Sequence, residues 1–349
     1  MRERFRKFAS SDVNITALRL EHFTALLETI LVFSLFYLIQ QYFAYRGFFE
    51  QALDTPGTIR TLATNTGWIV ASVLGLFVVP VSIRWLSKGW TLVDFGFAPR
   101  PGRRDVILAA YLGVFMGLWF SLGFWISPGA IDAARSLLAI HDWWDAVFYM
   151  GYVALIVAAL RNEFFYRGYI QKLLTSEYGT SWGTLLALLF FLVSFHWIGW
   201  IHVFSILAPI GLGSALLFNR RGAIYGPLIY HALTFLLGFL GYALLELTPG
   251  GYAIYTAILV LIVVVGFWLM RIPLLLLGRN LVTLVRGLRS YWLRNGIIAL
   301  SMVVIIRILW ETAHTDLIAH TWFTVIFTIV LVTYKLTLRH FELRRILDR

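Results

Sequence analysis

Long apolar runs separated by short polar connections dominate the chain. The runs are about 16 to 25 residues long, and their residues do not alternate between apolar and polar as in an outer-membrane strand. A helix needs about 20 mostly apolar residues to cross a bilayer, so the runs predict membrane-spanning helices. We place ten spans at about 22–45, 66–86, 106–126, 146–166, 182–201, 203–219, 223–245, 251–271, 296–310 and 321–338. The predicted fold is all-α, a polytopic membrane helix bundle.

Basic residues concentrate on alternate connections between these spans. When the connections are assigned to the two sides in turn, 25 of the 29 Lys and Arg residues fall on the side of both termini. The positive-inside rule therefore predicts that both termini are cytoplasmic. No small-residue cleavage site follows the first apolar run, so we expect the first helix to be retained.

The high apolar content of the chain changes how its net positive charge is interpreted. The chain is 60% hydrophobic and only 13% charged, whereas soluble domains have about 25% charged residues. A net charge of +11 in a soluble protein would suggest nucleic acid, but basic connections beside a membrane are expected to contact anionic lipid headgroups. We therefore expect membrane lipid as a partner and no nucleic acid. The chain has no Cys, which excludes disulfides and thiolate metal sites; we predict neither a metal nor a cofactor.

Two segments differ from a simple span. Segment 203–219 is short and contains Pro209, Gly211 and Gly213, so a broken or re-entrant helix is one interpretation. Segment 271–295 intersperses Arg with Leu, Val, Tyr and Trp, which predicts a helix lying in the cytoplasmic interface. A solvated basic loop is the alternative for this second segment.

Polar side chains inside the middle spans are candidates for function, because such groups are costly in a membrane. Glu163 and Arg167 are four residues apart and share a helix face, which predicts an ion pair that is either functional or purely structural. Asn162 is rotated from Glu163 by about 100° on an α-helix. We expect Asn162, His196 and His231 to border one buried polar cavity, with the ion pair on an adjacent face.

Other polar residues in or near the spans have simpler interpretations. Glu28 in the first span and Arg307 in the ninth are expected to pair with partners, line a cavity, extend to the interface or be satisfied by a backbone carbonyl. His202 follows two Trp residues near the outer boundary, where an interfacial His is ordinary.

Three stretches resemble the CPBP family of intramembrane endopeptidases, which includes CAAX prenyl proteases and bacteriocin-processing enzymes. They are RNEFFYRGYIQKLL, LLFFLVSFHW and GLGSALLFNRRGAIYGPLIYHALTF, and the resemblance covers about residues 85–240. It implies a protease-like core at 85–245. The predicted spans outside that core form a pair of transmembrane helices at 1–84 and further transmembrane helices at 246–349, which include the basic interfacial segment 271–295. It also favours the prokaryotic cytoplasmic, or inner, membrane as the location.

The resemblance places six motif positions on this chain, four of which have catalytic roles in the family. In the family, a Glu and a His activate a water, while a second His and an Asn hold the oxyanion. Here the first Glu is replaced by Asn162, which cannot accept a proton as a carboxylate does, and the closing Asn is replaced by Phe235, which supplies no hydrogen-bond donor. Each loss costs a factor of about 10² or more. In chain order the motif positions are Asn162, Glu163, Arg167, His196, His231 and Phe235.

Three functional hypotheses follow. The first is a pseudoenzyme: a non-catalytic interaction or structural subunit that binds other membrane proteins or a hydrophobic or lipidated peptide. The second is an active intramembrane endopeptidase with a rearranged site. The third is binding of haem or a chlorophyll-type tetrapyrrole through His196, His202 or His231, because a neutral imidazole is a suitable axial ligand.

Overall fold

The computed structural model describes residues 25–36, 38–39, 77–97, 101–126, 143–194, 203–289, 292–316, 318–330 and 332–333. Throughout these ranges the ordered elements are helices, and none of the described residues forms a β-strand. The all-α class predicted from the apolar runs is therefore confirmed for the described part of the chain.

The elements of the described ranges follow one another with short connections. The α-helices are α1 (Ala25–Phe36), α2 (Val79–Lys88), α3 (Arg103–Ile126), α4 (Trp143–Phe148), α5 (Lys172–Ser194), α6 (Ala208–Arg221), α7 (Tyr225–Leu247), α8 (Pro249–Gly287), α9 (Trp292–Thr315) and α10 (Ile318–Val330). A kink at Gly179, whose backbone is not helical, divides α5 into two helical parts. Wider π-helical segments form Val93–Phe97, which is interrupted at Gly96, and Tyr149–Arg161, Glu163–Gln171 and Val203–Leu207.

Three of the described helices are long and apolar enough to cross a membrane. They are Arg103–Gly123 within α3, Tyr225–Leu247 and Pro249–Gly287, and each overlaps one of the predicted spans. Shorter apolar helices occur at Ala25–Phe36, Asn295–Leu309 and Ile318–Val330. These lengths support a membrane protein.

Helix α8 joins two predicted segments. It is one helix of 39 residues, about 58 Å long, and it continues from the predicted span at 251–271 through Pro273 into the segment predicted as an interfacial helix. The helical interpretation of that segment is confirmed for 271–287, and the alternative of a solvated loop is wrong there; its location in the membrane interface stays a prediction. Tertiary contacts explain the continuation, because Leu277 and Leu284 on its second half are buried against Leu216 of α6.

Two glycines allow α3 to pack closely on α7, which carries His231. A Cβ atom on Gly113 would lie 2.8 Å from Cβ of Leu233, and one on Gly117 would lie 2.7 Å from Cβ of Leu237. The two glycines are four residues apart, so they lie on one face of α3. Small residues at this spacing let membrane helices approach closely, and here they position α7.

A single hydrophobic core joins helices inside and outside the predicted protease-like segment. The ring of Phe33 in α1 packs 5.3 Å from Phe165 and 5.2 Å from Phe190, measured between ring centroids. Met302 and Ile306 of α9 belong to the same buried cluster. The flanking helices therefore support the central ones directly.

The two isolated charges both have partners. Glu28 is buried and forms an ion pair of 2.6 Å with Arg84, and it accepts a hydrogen bond of 2.9 Å from the hydroxyl of Tyr169. Arg307 pairs with Glu311 one turn further along α9, where both side chains are about half exposed. Pairing is thus the interpretation that the structure supports for each of them.

Candidate functional site

The candidate site is built around the carboxylate of Glu163. One of its oxygens, Oε1, is hydrogen-bonded to Nδ1 of His231, and the other, Oε2, accepts a hydrogen bond of 2.6 Å from the hydroxyl of Ser214. All three residues are fully buried. Both oxygens of this carboxylate are therefore bonded inside the protein, as a buried charge requires.

Arg167 supplies the positive charge beside this carboxylate. Its Nε lies 3.7 Å from Oε2 of Glu163 and donates a hydrogen bond of 2.9 Å to the hydroxyl of Ser214. Its Nη2 donates to the carbonyl of Gly211 at 2.7 Å. The predicted ion pair between Glu163 and Arg167 is confirmed, with Ser214 bridging the two side chains.

The glycine-rich segment lets α6 reach this network. A Cβ atom on Gly211 would lie 2.8 Å from side-chain atoms of both Leu188 and Phe191 on α5. Only a glycine therefore allows this close approach, which brings the Gly211 carbonyl to Arg167. Residues 208–221 form a regular helix, α6, after a π-helical turn at Val203–Leu207.

The network extends from Arg167 toward the C-terminal end of α6. Nη1 of Arg167 donates to Oε1 of Gln171 at 3.4 Å, and Nε2 of Gln171 donates to Oδ1 of Asn219 at 2.8 Å. Nδ2 of Asn219 in turn donates to the hydroxyl of Thr184 at 2.9 Å. The chain of polar groups thus ties α5, α6 and α7 to the π segment that carries Glu163.

Aromatic rings surround His231. Phe235, one turn further along α7, stacks on the imidazole with centroids 5.5 Å apart and planes 5° apart, and Phe191 contacts it edge-on at 6.0 Å. Nε2 of His231 is buried and has no hydrogen-bond partner among the described residues. The imidazole is therefore bonded to Glu163 through Nδ1, while its Nε2 is buried without a hydrogen bond from the described residues, and aromatic rings pack against the side chain.

Glu163 does not lie where the sequence analysis places it, and the amide of Asn162 is bonded to its neighbour in the chain. We expected Asn162 to share a cavity with His231 and Glu163 to lie on an adjacent face; instead Glu163 contacts His231. Asn162 is 2% exposed, and its Oδ1 accepts hydrogen bonds from Nε and Nη2 of Arg161 at 3.0 and 2.7 Å. The expected placement of Glu163 is wrong, because helix periodicity separates neighbouring side chains without showing which one faces α7. The backbone around them also has π rather than α geometry.

His196 and His202 lie outside the described residues. The expectation that His196 shares a cavity with His231 stays a prediction.

Several residues of the network are absent from the sequence prediction. Ser214 lies among small residues and carries no motif signal, although a hydroxyl inside a predicted span is itself a hint. Gln171 follows Arg167 by four residues, so helix spacing would have placed it beside the arginine. A second buried polar site joins α1 to α10, where Nε2 of His320 contacts the carbonyl of Ser34 at 3.0 Å.

The described residues contain no group of three or more His, Asp or Glu side chains arranged to hold a metal ion. Binding of a tetrapyrrole stays a hypothesis, because two of its three candidate ligands, His196 and His202, lie outside the described residues.

Comparison with known proteins gives one family match. Residues 143–237 match the family model described as type II CAAX prenyl endopeptidase Rce1-like. The chain carries an Rce1-like segment. This segment includes all six motif positions, from Asn162 to Phe235, and the predicted resemblance to the CPBP family is confirmed over it. The chain has no significant match among curated proteins or among solved structures.

Proposed function

We propose that this chain is a CAAX-protease-like integral membrane protein whose Rce1-like segment is non-catalytic and acts as an interaction or structural subunit. Three contacts support this proposal. The carboxylate of Glu163 is bonded to His231 and Ser214, the amide of Asn162 is bonded to Arg161, and Phe235 stacks on His231.

The observation that carries the proposal is that both oxygens of the Glu163 carboxylate already have hydrogen-bond partners inside the protein. A general base must accept a proton from its substrate water at hydrogen-bond distance. Oε1 and Oε2 of Glu163 are instead bonded to His231 and Ser214, with Arg167 at 3.7 Å. The family's first Glu position holds Asn162, whose neutral amide does not take up a proton near neutral pH.

Proposed partners follow from the surface of the flanking helices. Helix α8 exposes a long row of large apolar side chains, including Ile254, Leu261 and Trp268. Such a face contacts lipid or other membrane helices. We propose that the partners are membrane proteins, or a hydrophobic or lipidated peptide, and that the bundle has about ten spans with both termini in the cytoplasm of a prokaryotic cell.

A second candidate is an active peptidase with a rearranged site, which one observation favours. Glu163 holds Nδ1 of His231, and the opposite nitrogen, Nε2, has no partner among the described residues. A carboxylate bonded to Nδ1 stabilises an imidazolium and orients the ring. In this arrangement His231, rather than Asn162, would take the proton from water.

One assay separates the two candidates. Full-length protein in detergent is incubated with a prenylated peptide ending in a CAAX sequence, and the released tripeptide is measured. We expect no release by the wild type and measurable release by the double variant Asn162→Glu/Phe235→Asn, which restores the family's two missing groups. Release by the wild type that His231→Gln abolishes, with the fold intact, would establish the rearranged peptidase instead.

A further inference from the structure

The exposed face of α8 contains a groove that the proposed function does not use. The groove has a volume of about 880 Å³ and is lined by apolar and basic residues of this helix. Arg271, Arg279 and Arg286 all contribute to the lining, and at 100° per residue they lie within about 80° of one another. Three cations therefore share one face with apolar side chains.

The groove begins where α8 has the features of a membrane boundary. Trp268 is 67% exposed, and the guanidinium of Arg271 lies over its ring at 5.7 Å from the centroid. Exposed Trp residues are enriched at the membrane interface, and Arg beside them extends toward headgroups. Helix α8 is about 58 Å long, so it extends well beyond a hydrocarbon core of about 30 Å.

The part of α8 after Trp268 exposes both large apolar side chains and arginines, so neither water nor hydrocarbon alone would solvate all of its surface. Leu275 is 68% exposed and Val285 is 55% exposed, while Arg279 and Arg286 are also exposed on the same segment. A surface that is both apolar and cationic matches the lipid interface, because acyl chains and phosphate groups lie there within about one side-chain length of each other.

We propose that this groove binds an anionic phospholipid. Arg271 and Arg279 are separated by about 12 Å along the axis, which two extended guanidinium side chains can close onto one phosphate. Phe267 and Leu274 form the apolar lining for an acyl chain, and Gly278 leaves the groove open, because no atom lies within 4 Å of a Cβ placed there. An acidic peptide would match the arginines but not the apolar lining.

Removal of two arginines tests the charge. Full-length protein in detergent is titrated with phosphatidylglycerol or phosphatidylcholine, and bound lipid is counted by native mass spectrometry. Each arginine near a membrane surface contributes roughly fivefold to affinity for anionic lipid, so Arg271→Gln/Arg279→Gln should weaken phosphatidylglycerol binding by roughly 30-fold. The matched control is Arg103→Gln/Arg104→Gln, which removes two exposed arginines from the start of α3 and should leave binding unchanged.

A charge placed inside the groove gives a second test that does not depend on removing arginines. Gly278→Asp introduces a carboxylate into the groove that Arg271 and Arg279 also line, while Gly278→Asn introduces a neutral side chain of the same size. We expect the Asp variant to lose most phosphatidylglycerol binding and the Asn variant to keep it. Equal binding by both variants would overturn the proposal. Equal binding of phosphatidylcholine and phosphatidylglycerol would also overturn it. A third contrary result would be an acidic peptide, such as oligoglutamate, whose binding is weakened by Gly278→Asp while phosphatidylglycerol binding is unchanged.

Discussion

His231 and Glu163 are 68 residues apart in the chain, yet Nδ1 of the histidine is hydrogen-bonded to Oε1 of the glutamate inside the bundle. This contact joins α7 to the π segment Glu163–Gln171. Because Ser214 of α6 bonds to the same carboxylate, three elements meet at one charge. The stability of the Rce1-like segment should depend on that charge being balanced.

Truncation of Arg167 should destabilise the protein strongly. Arg167→Ala removes the buried cation beside Glu163 and leaves Ser214 and the Gly211 carbonyl without their donor. The loss of one partner from a buried ion pair costs about 3 to 5 kcal/mol.

Thermal unfolding in detergent measures the effect of Arg167→Ala, with Arg221→Ala as the control. Arg221 is 58% exposed in its pair with Asp105, so its removal should cost at most about 1 kcal/mol. Equal melting temperatures for wild type and Arg167→Ala would refute the ion pair.

The contact between Glu163 and His231 should appear as coupling in a double-mutant cycle. Glu163→Gln removes the negative charge and His231→Gln removes the imidazole ring, while each keeps the approximate size of the side chain. Residues that share one buried network show interaction energies of about 0.5 to 3 kcal/mol. The cycle is measured from unfolding free energies of the two single variants and the double variant. Additive effects would contradict the contact.

Close packing of α3 on α7 should make Gly113 intolerant of a side chain. A Cβ there would meet Cβ of Leu233 at 2.8 Å and the carbonyl oxygen of Tyr230 at 2.9 Å. We expect Gly113→Val to destabilise by about 1 to 3 kcal/mol, as overpacked sites do. Gly278→Ala on α8 is the control, since a Cβ at Gly278 has nothing within 4 Å, and alanine there should be neutral or slightly stabilising. A Gly113→Val protein as stable as the wild type would mean that the helices are further apart.

The proposed topology is testable with single cysteines because the chain has none of its own. Ala139 falls on a connection that the charge pattern assigns to the outside, and Gly102 falls on one assigned to the cytoplasm. A membrane-impermeant maleimide added to intact cells should label Ala139→Cys and spare Gly102→Cys until the cells are lysed. The opposite labelling would reverse the orientation.

The sequence predicted the parts of this structure that depend on long patterns. Apolar runs of membrane length identified α3 and α7, and the spacing of four residues identified the pair of Glu163 and Arg167. The sequence could not show which of Asn162 and Glu163 faces α7, because helix rotation is decided by packing against other helices. The sequence also could not show that the two predicted helices on either side of residue 271 form one helix, since Leu277 and Leu284 gain burial only once α6 is present. Ser214 bridges Glu163 and Arg167 through contacts between residues about 50 positions apart, which no local pattern encodes.

The remaining prediction concerns His196, the second histidine of the family motif. If the Rce1-like segment is non-catalytic, the titratable ring of His196 has no proton to transfer, and His196→Gln should leave the protein's role intact. Glutamine keeps hydrogen-bonding capacity and approximate size, so the fold should be preserved. Co-purification of the natural membrane partners from detergent extracts of the native host, compared between wild type and variant, measures this role, and the peptide-release assay is run on the same samples. We expect the same partners at the same yield and no peptide release from either protein. If His196→Gln instead abolished a release activity that the wild type possesses, with an unchanged melting temperature, the active peptidase would replace the non-catalytic subunit as the function of this site.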